Sequence, residues 1–350
     1  MVELATKPGA VSVADVRKKV FSGIQPSGLS HIGNYLGAIR NWVRQQEQYD
    51  NVFCVVNLHA LTVPTTRDGL LATTITMTNT LLASGIDPRR SILFAQSDVP
   101  QHSELSWLLS SVTQFGELRR MTQFKDKSDG QDEAVSAALF TYPVLQAADI
   151  LLYDADLVPV GADQRQHIEL ARVIAERFNG RYGTTFVVPA PDIKPDGGRI
   201  MGLDDPTKKM SKSSASPASY IALTDPPDAI VKKIKRAVTD SSGEIRAAAD
   251  KPAVTNLLAI YSLLSGTPIP TLEEQYAGKG YGALKSDLAE VVVAAIQPIQ
   301  AQLIELEADP IIARGVLAEG AERARAIASA KMALVRDRMG LVLSADATRR

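Results

Sequence analysis

The chain has 350 residues, 45% of them apolar, and a formal net charge of −1. That length can bury a sizeable core in one large or two moderate domains, and so balanced a charge leaves any nucleic-acid contact to local basic patches. Cys54 is the only cysteine, which excludes an internal disulfide and a cysteine-cluster metal centre, and no metal-ligand set is expected. The short N-terminus of mixed charge lacks a signal pattern, and no apolar run approaches the roughly 18 residues that cross a bilayer, so a cytoplasmic protein with no membrane partner is expected.

In chain order, residues 1–17 read as a tail. Residues 18–24 read as a buried strand, followed by a turn and a helix whose apolar Ile32, Leu36, Ile39 and Val43 recur at helical spacing. Residues 52–56 and 91–95 are short β-rich runs on either side of an amphipathic helix over about 70–84 that ends at Gly85. From about 103 to 148 the pattern is helical without strands and reads as an insertion between two halves of a sheet. Residues 156–161, a helix with Ile168, Ala171, Ile174 and Phe178 on one face, and Phe186-Val187-Val188 form a further strand–helix–strand unit. The alternation predicts an α/β fold, a doubly wound parallel (Rossmann-like) nucleotide-binding domain over 18–206. Residues 207–222 form a lysine- and serine-rich loop. Asp225-Pro226-Pro227-Asp228 then opens an all-helical domain over 223–309, with C-terminal helices and a tail over 310–350.

Two segments carry phosphate chemistry. The Pro26-Ser27-Gly28 turn lets the backbone approach a ligand, and the following helix is expected to aim its free N–H groups at an anion. His31 and Asn34 lie one helical turn apart and can face the same anion, with Gly33 leaving room. In Lys208-Lys209-Met210-Ser211-Lys212-Ser213, flanked by Pro206 and Pro217, Lys209 and Lys212 can converge on a polyphosphate when the loop closes. Asp149 is an acid amid apolar residues and requires a donor. Gly161-Ala162-Asp163-Gln164 follows a strand at the carboxyl edge of the sheet, where ligands of open α/β folds bind, and Asn57 and His59 end another strand. Lys232, Lys233, Lys235 and Arg236 form a basic run that reads as a solvated face before an RNA contact.

The stretches 22–35, 116–125, 141–153, 158–167 and 205–213 resemble class I aminoacyl-tRNA synthetases, and their spelling is similar to the tryptophanyl-tRNA synthetase family over roughly 19–340. The resemblance implies ATP-dependent activation of L-tryptophan, with Mg²⁺ carried by the nucleotide, and transfer to the 3′ adenosine of tRNA(Trp). It implies that Lys209, Lys212, Lys127, Gln25 and His31 act on the reacting phosphates. ATP is then held by Gln25, Pro26, Ser27, His31, Gly33, Asn34, Gly161, Ala162, Asp163, Ile200, Lys209, Met210, Ser211, Lys212 and Ser213. Asp163 reads the ribose and the backbone at Ile200 the adenine. Asp149 accepts the indole N–H, Tyr142 and Gln164 hold the α-amino group, and Phe21, Val158 and Val160 wall the ring beside Gln146 and His59. Gln146 stands where the family often has methionine, and Asn34 where the class has a second histidine, as bacterial tryptophan enzymes do. In the family the helical insertion forms a homodimer interface and the helical domain reads the anticodon. The single cysteine excludes the iron–sulfur cluster of some members. A tyrosyl-tRNA synthetase-like enzyme shares the turn Gly161-Ala162-Asp163-Gln164, and a catalytically inactive synthetase paralogue with a binding or regulatory role is the alternative of another class. The latter is expected to have lost His31, Lys209 or Lys212.

Overall fold

The computed structural model describes residues 17–28, 30–122, 136–193, 199–212, 214 and 216–341. Lys127 and Ser213 lie outside them. Five strands form one parallel sheet: β1 (Lys19–Ile24), β2 (Asp50–Val55), β3 (Ile92–Ala95), β4 (Leu157–Pro159) and β5 (Ala190–Asp192), in the order β3-β2-β1-β4-β5. The chain winds outward from β1 in one direction and returns to its other side at β4. The crevice beyond the carboxyl ends of β1 and β4 is therefore the topological switch point, the place where open α/β sheets bind ligands.

One strand is displaced from its expected position. Phe186-Val187-Val188 is not a strand, because Asn179, near the end of the Arg165–Tyr182 helix, takes the backbone there: its Oδ1 accepts from Phe186 N at 2.9 Å and its Nδ2 donates to Phe186 O at 2.8 Å. Pairing starts beyond Pro189, where Ala190 N donates to Asp156 O. The helix after β1 contains a π-helical turn, Tyr35–Ile39, which rephases it so that Trp42 is buried and Val43 only half-buried.

Among the described residues the 103–148 insertion is strand-free, as its pattern indicates. It comprises the Gln101–Ser110, Phe115–Arg119 and Ala137–Leu151 helices. The helices Pro227–Arg236, Pro252–Ser265, Ile269–Tyr276 and Gly280–Ala308 share a second core with Ile32, Leu36, Ile200, Met210 and Ile221. The expectation that no segment is apolar enough to span a bilayer is corrected by Gly280–Ala308, which passes by length and composition. Its Leu284, Leu288, Val292, Ile296, Ile299 and Leu303 form a buried stripe within that second core. A stripe committed to neighbouring helices is the mark of a core helix.

The Pro310–Arg338 helix returns to the sheet instead of joining that core. A Cβ on Gly320 would lie 1.8 Å from Leu93 O, so only glycine permits the approach to β3, and Ala321, Ala324 and Ala328 continue the small face in the main core cluster.

Candidate active site at the carboxyl edge of the sheet

The two phosphate-type segments meet. Gly28 has φ +88, a backbone conformation that side chains resist, and a Cβ built on it would lie 2.9 Å from Lys212 Nζ. The helix start is not the open anion socket expected from sequence. The Ile32 amide donates to Ile221 O at 2.9 Å, the His31 amide donates to Asn34 Oδ1 at 3.1 Å, and Leu223 N donates to Ser30 O at 3.0 Å. Asn34 is thus a helix cap through its oxygen, which takes the His31 amide, and the Ile32 amide is spent on the segment that follows the lysine loop.

His31 is buried, and its Nδ1 has no hydrogen-bond partner. Burial first, then the positive charges of Lys209 and Lys212, lower its pKa to about 4, so the imidazole is neutral near neutral pH. Gly33 is required by this packing, since a Cβ there would lie 2.9 Å from His31 Nδ1.

The lysine loop is anchored, not loose. Ile200 O accepts from Met210 N at 2.9 Å, and Lys208 O accepts from Gly202 N at 2.8 Å, with Met201 opposite Lys209 in an antiparallel bridge. Met210 is buried beside Ile32 and Ile221. The side chain between the two lysines therefore pins the loop, while Lys212 extends toward Gly28. Burial lowers the Lys212 pKa.

Next to this convergence lies a cavity of about 290 Å³. Its walls include Phe21, Val158 and Val160, with Tyr142, Gln146 and Gln164 as polar members. Gln25 also lines it, its Nε2 donating to His59 O at 3.5 Å, which places Gln25 beside this cavity as well as in the turn. Tyr142 Oη is hydrogen-bonded to His167 Nε2 at 2.8 Å. Burial pushes the Tyr142 phenol up to about 12, and the His167 imidazole down to about 4 with help from His59. Both groups are neutral near pH 7.

Asp149 lines the same cavity and is buried, and the donors that its burial requires come from the protein itself. Its Oδ1 accepts from Gln96 Nε2 and His102 Nδ1, each at 2.6 Å, and its Oδ2 bonds His59 Nε2 at 2.8 Å. Burial pushes the carboxyl pKa up, and the bonds from His102 and His59 outweigh it and hold Asp149 low, as a carboxylate. Behind His102, Tyr153 Oη lies 2.9 Å from Nε2. Burial, with Cys54 and Asp149 nearby, raises the Tyr153 pKa, so the phenol keeps its proton, and its bond to Nε2 holds the His102 ring in place against Asp149. Sequence reasoning missed Gln96, His102 and Tyr153. The one available signal was Gln96, a polar residue directly after the apolar run of β3.

Gly161-Ala162-Asp163-Gln164 turns immediately after β4, with Gln164 N donating to Gly161 O at 3.0 Å. Asp163 folds back over Gly161, where a Cβ would lie 2.6 Å from its Oδ1. Asn57 is directed elsewhere: it pairs with Ser97 and faces a separate cleft with Arg67 and Arg314. The basic run is split, because Lys233 is tied to Asp225 at 2.5 Å and lies over the Tyr220 ring, while Lys232, Lys235 and Arg236 are exposed.

A doubly wound sheet whose switch point joins a glycine turn, a buried histidine and a lysine loop defines a class I aminoacyl-tRNA synthetase. The family model of class I tRNA synthetases for tryptophan and tyrosine matches residues 15–297, and the chain belongs to this family, with tryptophanyl-tRNA synthetases as its near relatives. A protein of Streptomyces avermitilis named tryptophan–tRNA ligase 2 is 54% identical over 94% of this chain and 99% of its own length. The tryptophan–tRNA ligase of Caldanaerobacter subterraneus is 53% identical over 93% and 99%. Among solved structures, the tryptophanyl-tRNA synthetase of Mycoplasma pneumoniae superposes with a TM-score of 0.86 at 38% identity, over 95% of this chain and all of that one. The Campylobacter jejuni enzyme complexed with ADP and tryptophan superposes with a TM-score of 0.77 at 36% identity, over 92% and 99%.

Proposed function

We propose that the chain is a tryptophan–tRNA ligase that joins tryptophan to ATP as tryptophanyl-adenylate at the switch point, then passes the acyl group to the 3′ adenosine of tRNA(Trp). The observation that carries this reading is the approach of Lys212 to the Gly28 turn beside an aromatic-sized cavity with a buried carboxylate. Tryptophan sits with its indole between Phe21, Val158 and Val160, beside Gln146 and His59, its N–H on the cavity side of Asp149. Tyr142 and Gln164 hold its α-amino group. ATP lies over Gln25, Pro26 and Ser27, against Gly33, Asn34 and the backbone of Ile200, with Gly161, Ala162 and Asp163 at the ribose.

The tryptophan carboxylate attacks the α-phosphate and pyrophosphate leaves. No nucleophilic side chain is needed. Charge moving onto the bridging oxygen and the outer phosphates is met by Lys209 and Lys212, with Met210 and Ser211 in the same cradle. Neutral His31 offers a hydrogen bond without adding charge to the crowded cations. Mg²⁺ would arrive with the nucleotide and neutralise charge on its phosphates. Lys127 and Ser213 are assigned to the phosphates on resemblance alone. Amino-acid-dependent exchange of pyrophosphate into ATP tests the reading.

The helices over 223–309 are assigned to the anticodon end of the tRNA, a reading supported by the all-helical build that follows the lysine loop, and a cytoplasmic location goes with tRNA(Trp) as the substrate. A homodimer through the insertion is supported by its exposed aromatic face: Trp107 is 78% and Phe115 68% exposed, and Phe115 packs on Phe140 with ring centres 4.9 Å apart. Exposed aromatics on helices mark interface sites. The mass in solution is expected to be twice that of the chain at micromolar concentration, and Trp107→Glu with Phe115→Glu is expected to halve it. A wild-type monomer would remove the dimer from the account.

A further inference from the structure

We infer that Asn256 is a positioning residue for the lysine loop, and this inference rests on the proposed activation reaction. Asn256 lies on the Pro252–Ser265 helix and is buried. Its Oδ1 accepts from Met201 N at 2.9 Å and its Nδ2 donates to Met201 O at 3.0 Å. One side-chain amide thereby satisfies both backbone groups of one residue, which is what an adjacent β-strand does.

The position of Met201 gives that clamp its consequence. In an extended strip, successive backbone groups point to opposite edges. Ile200 O and Gly202 N face the lysine loop, bonding Met210 N and Lys208 O, while Met201 faces away and meets Asn256. The strip is thus held between the loop on one edge and a side-chain stand-in for a strand on the other. A Cβ on Gly202 would lie 2.9 Å from Asp205 O, so the turn that leads into the lysines closes tightly around the strip. Leu203 N donates to Ser219 O, and Val238 N donates to Leu203 O, so the strip also joins both ends of the segment that carries the loop to the helices.

The helix carrying Asn256 is itself fixed at its start. Lys251, the residue before it, is buried and bonds Asp240, Ser242 and the Glu244 carbonyl. The position of the helical unit therefore reaches Lys209 through Asn256 and the strip, alongside the packing of Ile200, Leu203 and Met210 in the shared core. None of this supports the aromatic cavity, whose walls come from elements between Phe21 and Gln164. Loss of the clamp should act on the phosphate step and spare tryptophan binding.

The test uses full-length Asn256→Ala and the isosteric Asn256→Asp, which keeps an acceptor for Met201 N–H but faces an oxygen toward Met201 O. Asn256→Ala is expected to lower kcat for tryptophan-dependent pyrophosphate exchange at least tenfold with the tryptophan KM within twofold, and Asn256→Asp to fall between it and wild type. Amide hydrogen exchange is expected to quicken over 200–210 and to stay unchanged in β1 and β4. A kcat within twofold of wild type, or equal losses for both substrates with exchange raised across the whole chain, would overturn the inference. Should Asn256→Ala fail to fold, Asn256→Asp is judged by the same two readouts. Because the exchange pattern needs no substrate, failure of the clamp is distinguishable from failure of the activation reading, which the wild-type enzyme tests.

Discussion

Lys212→Ala is expected to lower the rate of adenylate formation by about 2–4 kcal/mol of transition-state stabilisation, roughly 30- to 1,000-fold, while tryptophan binds almost normally. The ground is geometric. Lys212 Nζ lies where a Gly28 side chain would have to go, over the turn that receives the nucleotide, and Met210 anchors the loop from below. A cation held there interacts most strongly when charge has moved to the leaving group, so its removal should appear in kcat and kcat/KM together. Single-turnover measurement of adenylate formation checks this, and an unchanged rate would exclude Lys212 from the reacting phosphates.

Asp149→Asn carries the second large effect. Oδ1 of Asp149 faces two donors, Gln96 and His102, whereas Oδ2 faces only His59, whose ring can exchange tautomers. An asparagine keeps its oxygen toward Gln96 and His102 and turns its NH₂ toward His59 and the cavity. The fold should survive, but the cavity would then present a donor to the indole N–H. Loss of one charge-assisted hydrogen bond is worth about 1.5–3 kcal/mol, roughly 10- to 150-fold in kcat/KM for tryptophan. The margin over phenylalanine, which a site built for a hydrogen bond can raise to about 10⁴–10⁵, should narrow as well. Asp149→Ala differs in kind, since it leaves two histidines and a glutamine without their acceptor at a cost of about 3–5 kcal/mol in stability. Normal discrimination in Asp149→Asn would make the carboxylate purely structural.

Much of this architecture was legible because it rests on local patterns. The alternating apolar runs give the sheet order its elements, and Gly28, His31, Lys209 and Lys212 declare themselves by residue type. What remained hidden was carried by single long-range side-chain contacts. Asn179 cancels a strand that Phe186-Val187-Val188 otherwise favours, and Asn34 and Ile221 close the helix start to anions. His102 and Asn256 lie far in sequence from the groups they hold, and nothing in their neighbours signals it. Asp149 was singled out for a sound reason, the cost of burying a carboxylate, but the structure meets that cost with protein donors before any substrate arrives.

The account turns on one activity, and amino-acid-dependent exchange of pyrophosphate into ATP, run across a panel of all twenty amino acids, tests it most directly. Tryptophan is expected to drive exchange, with tyrosine and phenylalanine lower by orders of magnitude and the remainder silent. Exchange driven best by tyrosine, or by no amino acid at all despite a folded chain, would contradict it.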